Sequence, residues 1–407
     1  MTQLHDLPVY DPKDERTRRN PFPLYEQLQD QDPVHWSPAL KSWILTRYDD
    51  VRHVCMGQGV SSDRLRPFYD ALKDERRDIL SGVMRYLNHW LVFKAPPEHT
   101  RLRRLLNTVI SAVTVAEMGP AIRDAFDHIM KGVDTGREID FMKEVAELFP
   151  AFVILDMLGV PREDFKPIKA WSDDLRLFIG TAQGEADKYT RARDGADRMS
   201  AYFRELIALR RRQPGQDAIS RMVLARDEGG MLSEDELVAC CMLFLFGGHE
   251  TTTNLLGSAV VALLEHPQQL ARLHAEPALI DSAVEEFLRY DGPSNSIARV
   301  VAQDHELGGK TLRAGERLFA MINAANRDPR FFNQPHELDL GRTPNRHLTF
   351  GFGIHFCLGA PLARMEAKVC LGELVARFPG LRAGSQEPDW IDALVMRGPK
   401  KLPLVLA

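Results

Sequence analysis

The stretch between Ser233 and Pro267 constrains the fold more than any other part of the chain. From Val238 to Leu264 nearly every residue is apolar or small, and that length would suffice to cross a bilayer. Ser233 with Glu236 makes a capping box ahead of it and Pro267 closes it, so the pattern predicts one helix from Ser233 to about His266. A helix that is apolar on every side has to be buried on every side. Gly247, Gly248, His249, Glu250 and Thr251 stand in its middle, and a glutamate at bilayer depth would be costly without a function. A helix running through the centre of a large globular domain accounts for the same residues without a membrane.

A chain of 407 residues that is 44% hydrophobic and 27% charged can bury a sizeable core. Length alone would allow two to four domains. No long Gly/Ser or Pro-rich linker, repeat or low-complexity run divides it, so residues 1–407 are expected to form one domain. A net charge of −5 argues against general nucleic-acid binding. Cys55, Cys240, Cys241, Cys357 and Cys370 form no C-x-x-C pair and no disulfide framework, which fits a reducing compartment. The first 20 residues are polar and mixed in charge, without the apolar core of a secretory signal or an anchor, so a cytoplasmic location is expected.

Along the chain, residues 21–30 read as a short helix, residues 33–36 and 43–46 as two strands of a hairpin, and residues 48–56 as helical. Residues 57–94 have weak periodicity and are expected to be loop with short helices. From Pro97 to about Gly184 the pattern is mostly helical, with Pro120, Pro150 and Pro161 near boundaries. Residues 300–318 hold short extended pieces, and residues 394–406 resemble a terminal hairpin. The fold class is therefore mainly α with small β-sheets (α+β).

The second informative feature is the run of residues 350–359, which sets Cys357 on a glycine-rich turn at the mouth of a helix. Gly351, Gly353 and Gly359 let the backbone bend and let something flat approach, while turn amides and the positive helix end favour a thiolate. The helix reads from about Pro361 to a stop at Pro379. Taken alone, a buried structural cysteine explains such a residue equally well.

Phe350, Gly353, His355, Cys357 and Gly359 together resemble the haem-binding loop of the cytochrome P450 family, the haem-thiolate monooxygenases. The resemblance implies the cytochrome P450 fold, haem b (iron protoporphyrin IX) as cofactor, and Cys357 as the metal ligand, since a thiolate pushes electron density toward iron-bound oxygen. It extends to Gly247, Gly248, His249, Glu250 and Thr251, which resemble the family's oxygen-activation motif. Two helical glycines cost roughly 1 kcal/mol each against alanine, and the expected return is room for a planar cofactor and oxygen against the backbone. Glu250 and Thr251 are then the catalytic pair that relays protons to reduced oxygen.

Glu286 and Arg289, three apart on one helical face, resemble the family's core ion pair, completed by Arg342; these three are structural. His99, Arg103, Arg299 and His355 match its ligands for the two haem propionates. By the same resemblance the substrate pocket is lined by Leu87, Trp90, Leu91, Val92, Phe178, Leu243, Phe244, Gly247, Ser294, Asn295, Ile297, Leu394, Val395 and Met396. These are mostly apolar, which suits a small, largely apolar organic substrate oxidised with dioxygen. Electrons are expected from a separate ferredoxin or flavodoxin with its reductase, docking on a basic face around Arg101, Arg104, Arg364 and Lys368. A peroxide-driven peroxygenase and a non-catalytic haem-binding sensor remain as alternatives.

Overall fold

The computed structural model describes residues 8–12, 14–179, 187–227 and 230–407. Its longest element is the expected central helix, Glu234–Glu265, 32 residues long. The Ser233 hydroxyl accepts from the Glu236 amide while the Glu236 carboxylate accepts from the Ser233 amide, so the capping box is complete. Leu237, Val238, Cys241, Leu256 and Val260 are among its many buried residues, because helices Leu148–Leu158, Lys188–Arg212 and Ala360–Arg377 pack around it. Among the described residues no single helix is long and apolar enough to cross a membrane.

Val34–Ser37 and Ser42–Leu45 form the expected hairpin, and Leu318 of strand Arg317–Met321 joins it in parallel opposite Trp43. Ser296–Val301 and the edge strand Val60–Ser61 complete five strands. This sheet carries Ile297 and Arg299 toward the cavity region.

Two expectations are corrected. Residues 57–94 contain helix Leu65–Asp70 and the 14-residue helix Asp74–Leu87, whose Leu80, Val83, Met84 and Leu87 are buried at spacings of three, one and three. The charges that crowd residues 74–78 obscure that stripe in the sequence. Residues 394–406 do not form a hairpin: strand Pro399–Lys401 pairs with Asp389–Trp390, whereas Pro403–Val405 lies between Arg382–Ala383 and Glu138–Asp140. Pro120 opens helix Gly119–Met130 and Pro161 follows helix Leu148–Leu158, but Pro150 lies within that helix's first turn, where its missing N–H costs nothing. The expected helical end near Gly184 lies outside the described residues.

Candidate active site

The cysteine loop is built by local geometry. Gly351 and Gly353 both have φ of 73°, which side-chain-bearing residues rarely adopt. A Cβ on Gly353 would also press on the Cys55 carbonyl oxygen at 3.3 Å. The Cys357 amide donates to the Phe350 carbonyl at 2.8 Å and closes the loop. Helix Ala360–Arg377 starts three residues later with Pro361 in its first turn. Gly359 has an ordinary φ of −82°, and a Cβ there would merely touch the Cys357 sulfur.

Burial pushes the Cys357 thiol above its ordinary value, outweighing the Gly359 amide, Arg103, Arg364 and the Ala360 amide that pull it down. A metal cation bonded to the sulfur would favour its anionic form.

Glu286 holds the scaffold behind the loop. It is fully buried and receives both prongs of the Arg289 guanidinium at 2.8 Å. Arg342 Nε adds contacts of 3.1 Å to both of its oxygens, and the Asp339 amide and Asn345 side chain donate at 3.0 Å. Arg289 also donates to the carbonyls of Asn326, Pro335 and Glu337. One carboxylate thus fixes the segment that leads into residues 350–359.

Cys357 opens on a cavity of about 300 Å³ between the central helix and the loop. Thr251, Gly247 and Gly248 line it from the helix, while Phe350, His355, Cys357 and Gly359 line it from the loop. His99 and Arg103 enter from helix Glu98–Asn107, and Leu91, Val92, Leu243, Phe244, Ser294 and Ile297 supply wall. Thr252, Glu366, Ile154, Met157 and Leu362 also line it and were not anticipated.

Seven of the expected pocket residues lie elsewhere. Leu87 is buried in the helical core, and Trp90 stacks on Phe93 at 6.2 Å and against Phe246. Phe178 packs on Phe68 and Tyr189. Asn295 accepts from the Tyr25 hydroxyl and donates to the Leu394 carbonyl, while the Val395 carbonyl accepts from the Asn295 amide. Met396 forms a bridge with Ser294 and faces a separate small cleft beside the N-terminal segment. These residues brace the wall from behind, and a linear pattern does not distinguish bracing from lining.

The glycine pair divides its labour. A Cβ on Gly247 would meet nothing within 4 Å, so that position opens on the cavity. A Cβ on Gly248 would lie 2.3 Å from Ile154 Cδ1, so its bareness serves helix packing as much as the cavity. The Thr251 hydroxyl donates to the Gly247 carbonyl at 3.0 Å and keeps its oxygen lone pairs for other donors. Glu250 does not line the cavity; its carboxylate turns toward Arg176 of helix Phe165–Ile179 at 3.9 Å.

The basic groups at the other end present an unsolved charge problem. Among the described residues neither Arg103 nor Arg299 has a carboxylate partner; they donate to the carbonyls of Phe356 and Ala298. The His99 and His355 rings meet edge to face at 4.7 Å, and buried His99 Nε2 has no hydrogen-bond partner. Burial, together with Arg299, His99 and Arg103, pushes His355 down to about 4. Arg64, missed by the sequence reading, adds a cation close enough to be disfavoured by Arg299 after burial. Two carboxylates placed among these groups would relieve the repulsion and satisfy the orphaned nitrogen. The donor set therefore fits a porphyrin with two propionates.

The proposed basic face is corrected. Arg101 is paired with Glu236, Arg364 grips Glu285 through contacts of 2.6 and 2.8 Å, and Lys368 meets Asp281 at 2.7 Å. Arg104 also has an interaction partner. The carboxylates come from distant parts of the chain and cancel much of the field these cations would project.

Residues 42–404 match the family model described as Cytochrome P450. The chain belongs to the cytochrome P450 family. Among its relatives, polyketide biosynthesis cytochrome P450 PksS of Bacillus subtilis is 33% identical, over 98% of this chain and 99% of that protein. Vitamin D(3) 25-hydroxylase of Pseudonocardia autotrophica is 37% identical, over 95% of this chain and 94% of that protein. The crystal structure of CalO2 superposes with a TM-score of 0.90 at 30% identity, covering 98% of this chain and 99% of that one. P450BioI, solved in complex with hexadec-9Z-enoic acid ligated acyl carrier protein, gives 0.88 at 32% identity, covering 96% and 99%. The P450 chain is thus a haem-thiolate oxidoreductase of the monooxygenase class, with relatives named as hydroxylases.

Proposed function

We propose that this P450 is a single-domain cytoplasmic monooxygenase that binds haem b and inserts one atom of dioxygen into a small, largely apolar organic substrate. The observation that carries the reading is the meeting of Cys357, Thr251, His99 and Arg103 on one cavity. Bound haem supplies the iron at which dioxygen is activated, and Cys357 is its protein ligand. His99, Arg103, Arg299 and His355 hold the propionates by charge-assisted bonds.

Leu91, Val92, Leu243, Phe244 and Ile297 exclude water and orient an apolar substrate, with Ser294 as a single hydroxyl among them. Thr251 orders water at the reacting oxygen, its own proton being given to the Gly247 carbonyl. Glu250 delivers protons by swinging from Arg176 toward Thr251, its neighbour on the helix. Relatives named as vitamin D(3) 25-hydroxylase and mycinamicin IV hydroxylase/epoxidase support oxidation of an organic substrate. Electrons come from a separate ferredoxin or flavodoxin with reductase that docks on the Cys357 side; the cancelled cations give it weak electrostatic steering.

The test compares substrate oxidation driven by reductase, ferredoxin and reduced nicotinamide with oxidation driven by hydrogen peroxide. Product that forms only with the electron carrier supports the reading. Product that forms only with peroxide replaces it with a peroxygenase, and reductant consumption with neither would favour a sensor.

A further inference from the structure

Arg64 is a cation that the mechanism above leaves without an anion. It follows the edge strand Val60–Ser61 by three residues and is only partly exposed. Its guanidinium lies over the Phe93 ring at 5.5 Å and makes one long contact, 3.4 Å, to the Ile179 carbonyl at the end of helix Phe165–Ile179. Among the described residues no carboxylate pairs with it. Its sequence neighbour Asp63 is committed elsewhere, accepting from the Arg66 amide and facing the Arg66 guanidinium at 3.4 Å. Burial, and after it the neighbouring Arg299 cation, push Arg64 down to about 10.

The surroundings set Arg64 beside the cavity wall. Phe93 directly follows Leu91 and Val92, which line the cavity. Arg299 stands two residues beyond cavity-lining Ile297, on the same face of strand Ser296–Val301. Val60 and Ser61 pair with Val301 and Val300 of that strand, which brings the segment leading to Arg64 against it.

Counting charges isolates the residue. Haem brings two propionates, and Arg103 and Arg299 match them one for one. His99 and His355, both pushed down chiefly by burial, add neutral donors. Arg64 is then a surplus positive charge beside an arginine that already has its anion. Packing gives no reason for it, because a leucine or glutamine would cover Phe93 without the cost of desolvating one guanidinium next to another. The Phe93 ring and the Ile179 carbonyl occupy one face and one N–H of the group and leave most of its donors unspent, in the planar fork that suits a carboxylate. A third anion, delivered with the substrate, would offset the charge.

We propose that Arg64 determines specificity for the head group of the substrate, pairing with a single carboxylate on an otherwise apolar compound whose body lies along Leu91, Val92 and Ile297. The inference rests on the monooxygenase reading above and narrows its substrate class. Arg64 binds the substrate and takes no part in the proton steps, so no bond is made or broken there.

The test is the affinity of the haem-loaded protein for decanoate and for decanol, which share an alkyl chain and differ in charge, measured by isothermal titration calorimetry. Wild type should bind decanoate roughly tenfold more tightly than decanol, the size of one charge-assisted contact. Rising salt should weaken decanoate alone. Arg64→Gln keeps a donor for the Ile179 carbonyl without the charge, and should bring decanoate to the level of decanol while leaving decanol unchanged. Arg64→Lys should keep part of the preference. Wild type that binds decanoate no more tightly than decanol, or a preference that survives in Arg64→Gln, overturns the proposal. Haem uptake is the second readout: Arg64→Gln should retain haem as wild type does, because the propionates have their own arginines. A variant with a wild-type circular dichroism spectrum that holds haem weakly has lost a propionate ligand, which also overturns the proposal. Should Arg64→Gln fail to fold, Arg64→Lys and the salt dependence in wild type decide the matter. Binding needs no turnover, so failure of the monooxygenase reading is seen separately, as absence of product from the wild type with any electron source.

Discussion

Glu286→Ala is the sharpest test of how the scaffold supports the cysteine loop. The substitution deletes a fully buried carboxylate that takes the Arg289 fork, Arg342, Asn345 and the Asp339 amide. Two guanidinium groups are left without their counter-charge, Arg289 fully buried and Arg342 only slightly exposed. Removing one partner of a buried pair costs about 3–5 kcal/mol. The carbonyls of Asn326, Pro335 and Glu337 still accept from Arg289, so the lower half of that range applies to the charge and the remainder to the lost amide and Asn345 bonds. Against a native stability of about 5–15 kcal/mol, this is about a fifth or more of the total. Urea unfolding followed by circular dichroism should show a large drop in midpoint with little change in slope, and haem content should fall with it. Glu286→Gln, which keeps the shape and one acceptor, should lose less. A Glu286→Ala protein with a wild-type midpoint would refute the claim that this cluster braces the loop.

Three further outcomes follow from particular contacts. Glu285 is held down to about 2 because its bonds to Arg364 and His347 outweigh the burial that would raise it. Its contribution, at most roughly 3 kcal/mol, is complete above the ordinary value of 4.5 and is lost as pH falls through about 2, so Arg364→Leu should flatten the acid limb of a thermal-stability profile. Gly248→Ala should destabilise by about 1–3 kcal/mol because its methyl meets Ile154, and Ile154→Val should restore part of the loss in a double variant, as measured by melting temperature. Thr251→Ala should keep haem and ligand binding but turn reductant into hydrogen peroxide, whereas unchanged coupling would remove the role given to that hydroxyl.

Features encoded locally were legible in the sequence. The capping box at Ser233, the apolar run behind it, and Gly351 and Gly353 each dictate their own backbone, and the structure places them as read. Arg342 was reached through resemblance, and its contact with Glu286 is made across 56 positions of chain. Long-range partners were not legible. Nothing near Arg364 or Lys368 announces Glu285 or Asp281, so cations read as a free basic face are neutralised. Gly248 looks like a cofactor glycine because Ile154, the residue that requires it, is almost a hundred positions away. The C-terminal strands were misread as a hairpin since Pro403–Val405 finds a partner at Glu138–Asp140, and strand pairing at that separation leaves no periodic trace. Glu366 did carry a signal: an acid three residues before Val369 and four after Leu362, on the apolar face of its helix.

Every role assigned here depends on a bond between the Cys357 sulfur and haem iron. Absorption of the dithionite-reduced, carbon-monoxide-treated protein measures that bond most directly, with Cys357→His as the comparison. The wild type should show the strongly red-shifted Soret band of a thiolate-ligated haem, and the histidine variant should lose it while keeping haem in the cavity. A wild-type band at the position of the histidine variant, or purified protein that takes up no porphyrin, would contradict the account.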